Sequence, residues 1–137
     1  MRIEFDGQKC IWCRSCELIC SLYHEGGCSL ELSRIRISLN IFEAEAEAHV
    51  CRQCADPECA KACPTGAIKF NEKSGAYFID EGECVGCGLC AEACPYNAKK
   101  NIVVFNPVRK VYMKCDLCFG SPQCVQICPS QALKVVG

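Results

Sequence analysis

The chain has 137 residues, enough for one ordinary domain or for two very small ones that need stapling. Its formal charge of −1 argues against nucleic acid as a partner, and because no run approaches the ~18–20 apolar residues of a membrane-spanning helix, we expect no direct membrane insertion. Cysteine is far above ordinary usage, at 17 residues. Since this number is odd and the first residues do not resemble a signal peptide, we expect a reducing, cytoplasmic compartment rather than a disulfide framework.

The predicted elements are short strands and hairpins that alternate with cysteine-rich loops. Each lies in a run of alternating apolar and polar residues, the pattern of a strand with one buried face. Such runs predict single strands at residues 2–6, 33–41 and 132–136, and hairpins at residues 67–80 and 101–113. Only short apolar runs are available, so we expect a cofactor to supply much of the folding free energy and the apoprotein to be largely unfolded.

Sixteen of the 17 cysteines fall into four similar quartets. In each quartet two cysteines are separated by two residues, a third follows after a short gap, and a fourth follows after three more residues. Three of the four quartets are followed directly by proline. The quartets are Cys10, Cys13, Cys16 and Cys20; Cys51, Cys54, Cys59 and Cys63; Cys84, Cys87, Cys90 and Cys94; and Cys115, Cys118, Cys124 and Cys128.

The third quartet has the C-x₂-C-x₂-C-x₃-C-P spacing that binds iron–sulfur clusters in bacterial ferredoxins. Three thiolates from one short loop must converge on a small cubane, and Gly86 allows the chain to wrap that tightly. Pro95 disfavours helical geometry at Cys94, so the chain turns away there. In two-cluster ferredoxins this fourth cysteine binds the other cluster, so the quartets predict four [4Fe–4S] clusters with all sixteen cysteines as iron ligands.

Structural zinc is the main alternative, because zinc sites also use four thiolates. Zinc does not require a third cysteine at the same spacing or a fourth one before proline, so the repeated pattern favours iron. Three further features lie outside the quartets. We interpret Cys28 as a small packed residue, His24 as structural, and the acidic stretch of residues 43–49 as a solvated edge.

The four quartets together resemble the four-cluster ferredoxin-type electron-transfer subunits of anaerobic oxidoreductases, over nearly the whole chain. The segments that match most closely are Cys51–Ala67 and Lys114–Cys118. The segments 16–26 and 32–37 are similar to small members that accompany tungsten enzymes of the aldehyde oxidoreductase type. The resemblance implies an α+β fold, in which short hairpins and short helices pack around the clusters.

The resemblance also implies two ferredoxin-like modules, one inserted into the other. Residues 1–46 and 98–137 would form the outer module, and residues 47–97 the inner one. Spacing alone leaves open the alternative that the first quartet pairs with the second and the third with the fourth. The implied ligand sets are Cys10, Cys13, Cys16 and Cys128; Cys115, Cys118, Cys124 and Cys20; Cys51, Cys54, Cys59 and Cys94; and Cys84, Cys87, Cys90 and Cys63.

The predicted function is the transfer of single electrons through the clusters, between a catalytic subunit and a second redox carrier or subunit. The resemblance implies a tungsten or molybdenum pterin enzyme as the catalytic subunit. No catalytic residues are predicted, because every quartet is complete and no nucleophile–base pair or phosphate-binding loop is present in the sequence. A freely diffusing polyferredoxin, or a subunit of a hydrogenase, formate dehydrogenase or carbon monoxide dehydrogenase, is the alternative.

Overall fold

The computed structural model describes residues 2–97 and 101–136. Residues 1, 98–100 and 137, which belong to the predicted outer module, lie outside the described residues. Within them, eight short strands form four antiparallel pairs. The pairs are β1 (Arg2–Phe5) with β8 (Leu133–Val136), β2 (Arg36–Asn40) with β3 (Glu45–His49), β4 (Ile68–Asn71) with β5 (Ala76–Ile79), and β6 (Val104–Asn106) with β7 (Val111–Met113).

The predicted strands and hairpins are confirmed, with two differences. The strand predicted from residue 33 begins at Arg36, because Ser33 is in a local turn in which its hydroxyl oxygen accepts a hydrogen bond from the Ile35 amide at 3.3 Å. The acidic stretch contributes β3, which pairs with β2 from Asn40↔Glu45 to Arg36↔His49. Its alternating glutamates remain on the exposed side of that pair, while Ala46 and Ala48 are partly buried.

In the part of the chain that the structure describes, each of four α-helices carries the third cysteine of one quartet, and the helices pack in two pairs. Helix α1 packs against α4, and α2 packs against α3. The helix pairs therefore bring the first quartet to the fourth and the second quartet to the third. The helices are α1 (Ser15–Glu25), α2 (Glu58–Ala62), α3 (Leu89–Ala93) and α4 (Gln123–Ile127).

Three of the helices end at a cysteine that precedes proline. Cys63, Cys94 and Cys128 have ψ angles of 114°, 117° and 113°, which are extended rather than helical. The proline ring clashes with a helical residue before it, so each chain segment leaves its helix at that point. This geometry was expected at Cys94 from the sequence, and it recurs at the two other sites.

The buried core is divided between two small apolar clusters that include cysteines. One is built around Ile3, Ile35 and Leu117, and the other around Ile68 and Val103. Asn97 links the second cluster internally, since its side chain makes four hydrogen bonds with the backbone of Ala91, Ile102 and Val103 at 2.9–3.2 Å. Both cores are small, and quartet cysteines are among their buried members.

Candidate iron–sulfur centres

The first cavity lies between the loop at Cys51, helix α2 and the end of α3. It is lined by four cysteines, Cys51, Cys54, Cys59 and Cys94. Gln53 adopts a left-handed conformation (φ 50°), which turns its amide towards Cys51, and that amide donates a hydrogen bond to Cys51 Sγ at 3.4 Å. Three ligands of one quartet and the last cysteine of the next are therefore brought together.

The second cavity is the counterpart of the first, with the two quartets exchanged. Its cysteines are Cys63, Cys84, Cys87 and Cys90. Gly86 has a φ angle of 73°, and a Cβ atom at this position would lie 2.8 Å from the carbonyl oxygen of Lys110 in the turn between β6 and β7. The cysteine loop can pack against that hairpin only because residue 86 has no side chain.

The third cavity lies between the first quartet and the end of α4. Its cysteines are Cys10, Cys13, Cys16 and Cys128. Trp12, at a φ angle of 63°, donates its amide hydrogen to Cys10 Sγ at 3.4 Å. Trp12 thus occupies a turn where a small residue would be easier to accommodate, and it also lines the cavity.

The remaining four quartet cysteines, Cys20, Cys115, Cys118 and Cys124, form a buried group, each at most 8% exposed. Burial raises the pKa of Cys124, and the charges of Cys20 and Cys118 beside it raise that pKa further. Leu117, Cys118 and Phe119 all have positive φ angles, so the chain makes an unusually tight turn here. The Arg34 amide donates to Cys20 Sγ at 3.2 Å.

Two of the pre-proline cysteines receive the same pattern of hydrogen bonds. Ala67 donates its amide hydrogen to Cys63 Sγ and Ala132 donates to Cys128 Sγ, both at 3.3 Å. Burial by itself raises the pKa of either thiol, but these amides and a nearby hydroxyl, from Thr65 or Ser130, lower it below the ordinary value. Such donors favour the thiolate form, which is the form that binds iron.

Other cysteines require a cation to become thiolates. Burial raises the pKa of Cys16 to about 12, and it raises the pKa values of Cys90 and Cys118 to about 11. A bound metal replaces the proton of such a thiol, so iron binding would release protons. Four converging sulfurs, buried surroundings and inward-pointing amide donors are what an iron–sulfur cluster requires, and the residues present therefore fit this cofactor.

A network of ion pairs lies beside the fourth cysteine group; it is buried at His24 and Asp116 and partly exposed at Arg109, and it was not predicted from the sequence. Asp116 accepts hydrogen bonds from the Cys118 amide at 2.8 Å and from Arg34 at 3.2 Å, and it contacts His24 Nε2 at 3.1 Å. Arg109 pairs with Glu25 at 2.8 Å and also with Glu81. The network ties α1 to the turn that carries Cys118.

Predictions were also made for residues outside the quartets, and the structure agrees with some of them and not with others. His24 was predicted to be structural, and its buried ring pairs with Asp116 at 3.1 Å. Cys28 was predicted to be a small packed residue, and this is wrong: its side chain is exposed on the segment after α1. His49 hydrogen-bonds to Ser38 across the β2–β3 pair at 2.9 Å.

Comparison with known proteins decides the family. Residues 42–137 match the model of the 4Fe–4S dicluster domain. The chain belongs to this family. It is 43% identical to the polyferredoxin-like subunit of aliphatic sulfonate oxidoreductase from Pyrococcus furiosus, over 93% of this chain and 73% of that one. It is 34% identical to one subunit of the anaerobic dimethyl sulfoxide reductase of Haemophilus influenzae, over 94% of this chain and 70% of that subunit.

A solved structure resembles this dicluster protein along almost its whole length. A chain of the active site complex BamBC of benzoyl coenzyme A reductase superimposes with a TM-score of 0.57 at 26% identity, covering 98% of this chain and 77% of that chain. The predicted α+β ferredoxin-like fold is therefore confirmed. None of the helices in the described residues is long and apolar enough to cross a bilayer.

These findings confirm the predicted cofactor and the predicted type of protein. This member of the dicluster family is an iron–sulfur protein that binds multiple [4Fe–4S] clusters. It is a non-catalytic electron-transfer protein, since its relatives are described as electron-transport proteins or as subunits of oxidoreductases. Its expected association with a catalytic subunit agrees with the same descriptions.

Proposed function

We propose that this chain relays single electrons through four [4Fe–4S] clusters, between a catalytic oxidoreductase subunit and a second redox carrier or subunit. The observation that carries this proposal is the grouping of the quartet cysteines, three groups around cavities and one buried. When bound, each cluster supplies one-electron redox chemistry. The protein fixes the order and the spacing of the centres, and it controls their surroundings.

The proposed ligand sets follow the cysteine groups. Each set combines three cysteines of one quartet with the fourth of another, as in two-cluster ferredoxins. The packing of α1 on α4 and of α2 on α3 supports the proposed modules, residues 1–46 and 98–137 outside and residues 47–97 inside. The sets are Cys10, Cys13, Cys16 and Cys128; Cys115, Cys118, Cys124 and Cys20; Cys51, Cys54, Cys59 and Cys94; and Cys84, Cys87, Cys90 and Cys63.

Exposure supports a linear order for the four centres. Cys13 and Cys87 are exposed, and each belongs to a different set. Cys115, in contrast, is buried, and burial raises its pKa. Cys51 lies close enough for its charge to raise the pKa of Cys115 further, so the sets that contain these two cysteines are neighbours. The sets that contain Cys13 and Cys87 therefore lie at the two ends, where electrons enter and leave, and the sets that contain Cys51 and Cys115 lie between them.

The catalytic partner we propose is a tungsten or molybdenum enzyme of the aldehyde oxidoreductase type. The resemblance of segments 16–26 and 32–37 to small members that accompany such enzymes supports this, and so do relatives that are named as subunits of oxidoreductases. A freely diffusing shuttle is the second candidate, with a hydrogenase, formate dehydrogenase or carbon monoxide dehydrogenase as other candidate partners. We expect the complex to be cytoplasmic, because the sulfur ligands require a reducing environment.

Anaerobic purification of the tagged chain from its own host tests the proposal. We expect iron and acid-labile sulfide for four clusters, and a large catalytic chain that co-purifies with tungsten or molybdenum. A stable monomer with four clusters favours the shuttle. Zinc, cystine bridges or sulfide for fewer clusters would refute the relay itself.

A further inference from the structure

Lys114 is a buried lysine at the junction between two of the cysteine groups. Only 1% of its surface is exposed, and it directly precedes Cys115. Its ammonium donates to the carbonyl oxygen of Tyr77 at 2.5 Å and to that of Cys115 at 3.4 Å. The same nitrogen lies 3.5 Å from Cys51 Sγ. Lys114 therefore touches a proposed ligand of one middle centre and the backbone of a proposed ligand of the other.

Gln53 completes the hydrogen bonding at this junction. Its amide nitrogen donates to the Cys115 carbonyl at 2.7 Å, and its amide oxygen accepts from the Tyr77 amide at 2.9 Å. Gln53 and Lys114 thus bond the same two residues, Tyr77 and Cys115, from different directions. The carbonyl partners of the ammonium belong to strand β5 and to the segment that follows strand β7. The ammonium is therefore bonded to two different parts of the chain.

The charge of Lys114 is not balanced by a carboxylate. Arg34, whose side chain is only 11% exposed, has such a partner in Asp116, and the more exposed Arg109 pairs with Glu25 and Glu81. Among residues 2–97 and 101–136, Lys114 forms no ion pair with Asp or Glu, and its partners are two carbonyl groups and a sulfur. A buried ammonium is costly unless a negative charge lies close to it. The negative charge available here is that of the thiolates.

We propose that Lys114 is a potential-setting residue, whose ammonium is the fixed counter-charge of the two middle clusters and raises their reduction potentials. The inference rests on the proposed ligand sets. Reduction adds one negative charge to a cluster, so a nearby cation stabilises the reduced form more than the oxidised form. Burial strengthens this effect, because little water is present to screen the charge. The position of Lys114 between Cys51 and Cys115 makes both middle centres easier to reduce.

The test is an anaerobic redox titration followed by electron paramagnetic resonance, with Lys114→Met as the main variant. Methionine keeps much of the volume of the lysine side chain and removes its charge. We expect both middle centres to require a potential lower by about 59 mV or more, which corresponds to a tenfold change in the ratio of reduced to oxidised form of each centre at a fixed potential. The two terminal centres should change much less.

Lys61→Met is the matched control. Lys61 is on α2, two residues after Cys59, but its side chain is 53% exposed and pairs with Asp56 and Glu58. Removing this charge should leave all potentials close to those of the unmodified protein. Unchanged potentials in a fully loaded Lys114→Met protein, or an equal shift in Lys61→Met, would overturn the proposal.

Lys114→Arg covers the case in which Lys114→Met does not retain all its clusters. Arginine preserves the charge and changes the shape. If Lys114→Arg restores the missing iron and sulfide, the charge is what the site requires and the proposal is supported. If both variants lose the same cluster, shape alone matters and the proposal is wrong. Iron and sulfide contents of the unmodified protein test the relay separately, so the two ideas can fail independently.

Discussion

Replacing Gly86 by alanine should weaken one cluster site selectively. Gly86 has a φ angle of 73°, and its new Cβ atom would lie 2.8 Å from the Lys110 carbonyl oxygen. That oxygen cannot move away freely, because Lys110 also donates its amide hydrogen to the Asn106 carbonyl at 2.7 Å within the tight β6–β7 turn. The substitution therefore combines backbone strain with a clash between two parts of the backbone.

Gly66→Ala separates these two costs. Gly66 follows Cys63-Pro64-Thr65 and has a similar φ angle of 65°, but a Cβ atom there would meet nothing within 4 Å. Both variants should lose about 1–2 kcal/mol from the left-handed conformation. Only Gly86→Ala should lose a further amount, about 1–3 kcal/mol, from overpacking.

The assay is thermal unfolding of the cluster-loaded protein at a fixed scan rate, with iron and sulfide measured before heating. At about 4 °C per kcal/mol, Gly86→Ala should unfold roughly 4–12 °C below Gly66→Ala. Its cluster loss should be confined to the centre that contains Cys84 and Cys87, and electron paramagnetic resonance would show the other centres intact. Equal midpoints for the two variants would mean that the close contact with Lys110 is not present in solution.

Three further outcomes are expected. Cys28→Ser should leave the iron and sulfide contents unchanged, because Cys28 is exposed and belongs to no ligand set. Cys128→Ser should lower both contents. Equal losses of iron and sulfide in the two variants would contradict the proposed sets. Anaerobic removal of iron by a chelator should abolish the helical circular dichroism signal, and a cooperatively melting apoprotein would show that the small cores suffice without clusters. Asn97→Ala should cost about 2–4 kcal/mol in unfolding free energy, because it leaves buried backbone groups without hydrogen-bond partners. The control, Asn40→Ala at an exposed position, should cost under about 1 kcal/mol. Similar unfolding midpoints for the two variants would contradict this role of Asn97.

The sequence predicted well the hairpins and helix ends, which depend on residues that are close together in the chain. The hairpins at β4–β5 and β6–β7 follow from alternation around a turn, and the helix ends at Cys94 and its equivalents follow from proline. The acidic strand β3 was not identified, because its glutamates suggested a solvated edge and its pairing with β2 depends on a neighbour in space. Cys28 was misplaced for a related reason, since cysteine is usually buried and nothing nearby in the sequence shows that this one is exposed.

Contacts of single polar side chains between distant segments were not predicted from the sequence. Lys114 stood out in the sequence only as part of a matching motif, and its burial against Cys51 and Tyr77 depends on residues 37–63 positions away. The same is true of the network that joins His24 to Asp116. Charged residues are usually exposed, so no local signal marks the few that are buried.

The cysteine spacing by itself determined the cofactor, because a cubane needs converging thiolates from one short loop and few other cofactors do. The spacing could not determine which quartet completes which centre. The fourth cysteine of a quartet lies at or near the end of its helix, and it can bind at any site that packing brings close to it. Helix packing decided that the segment around Cys10 meets the segment around Cys128, and that Cys51 meets Cys94. It also placed the Lys114 ammonium 3.5 Å from Cys51 Sγ, because packing brings together residues that are far apart in the sequence.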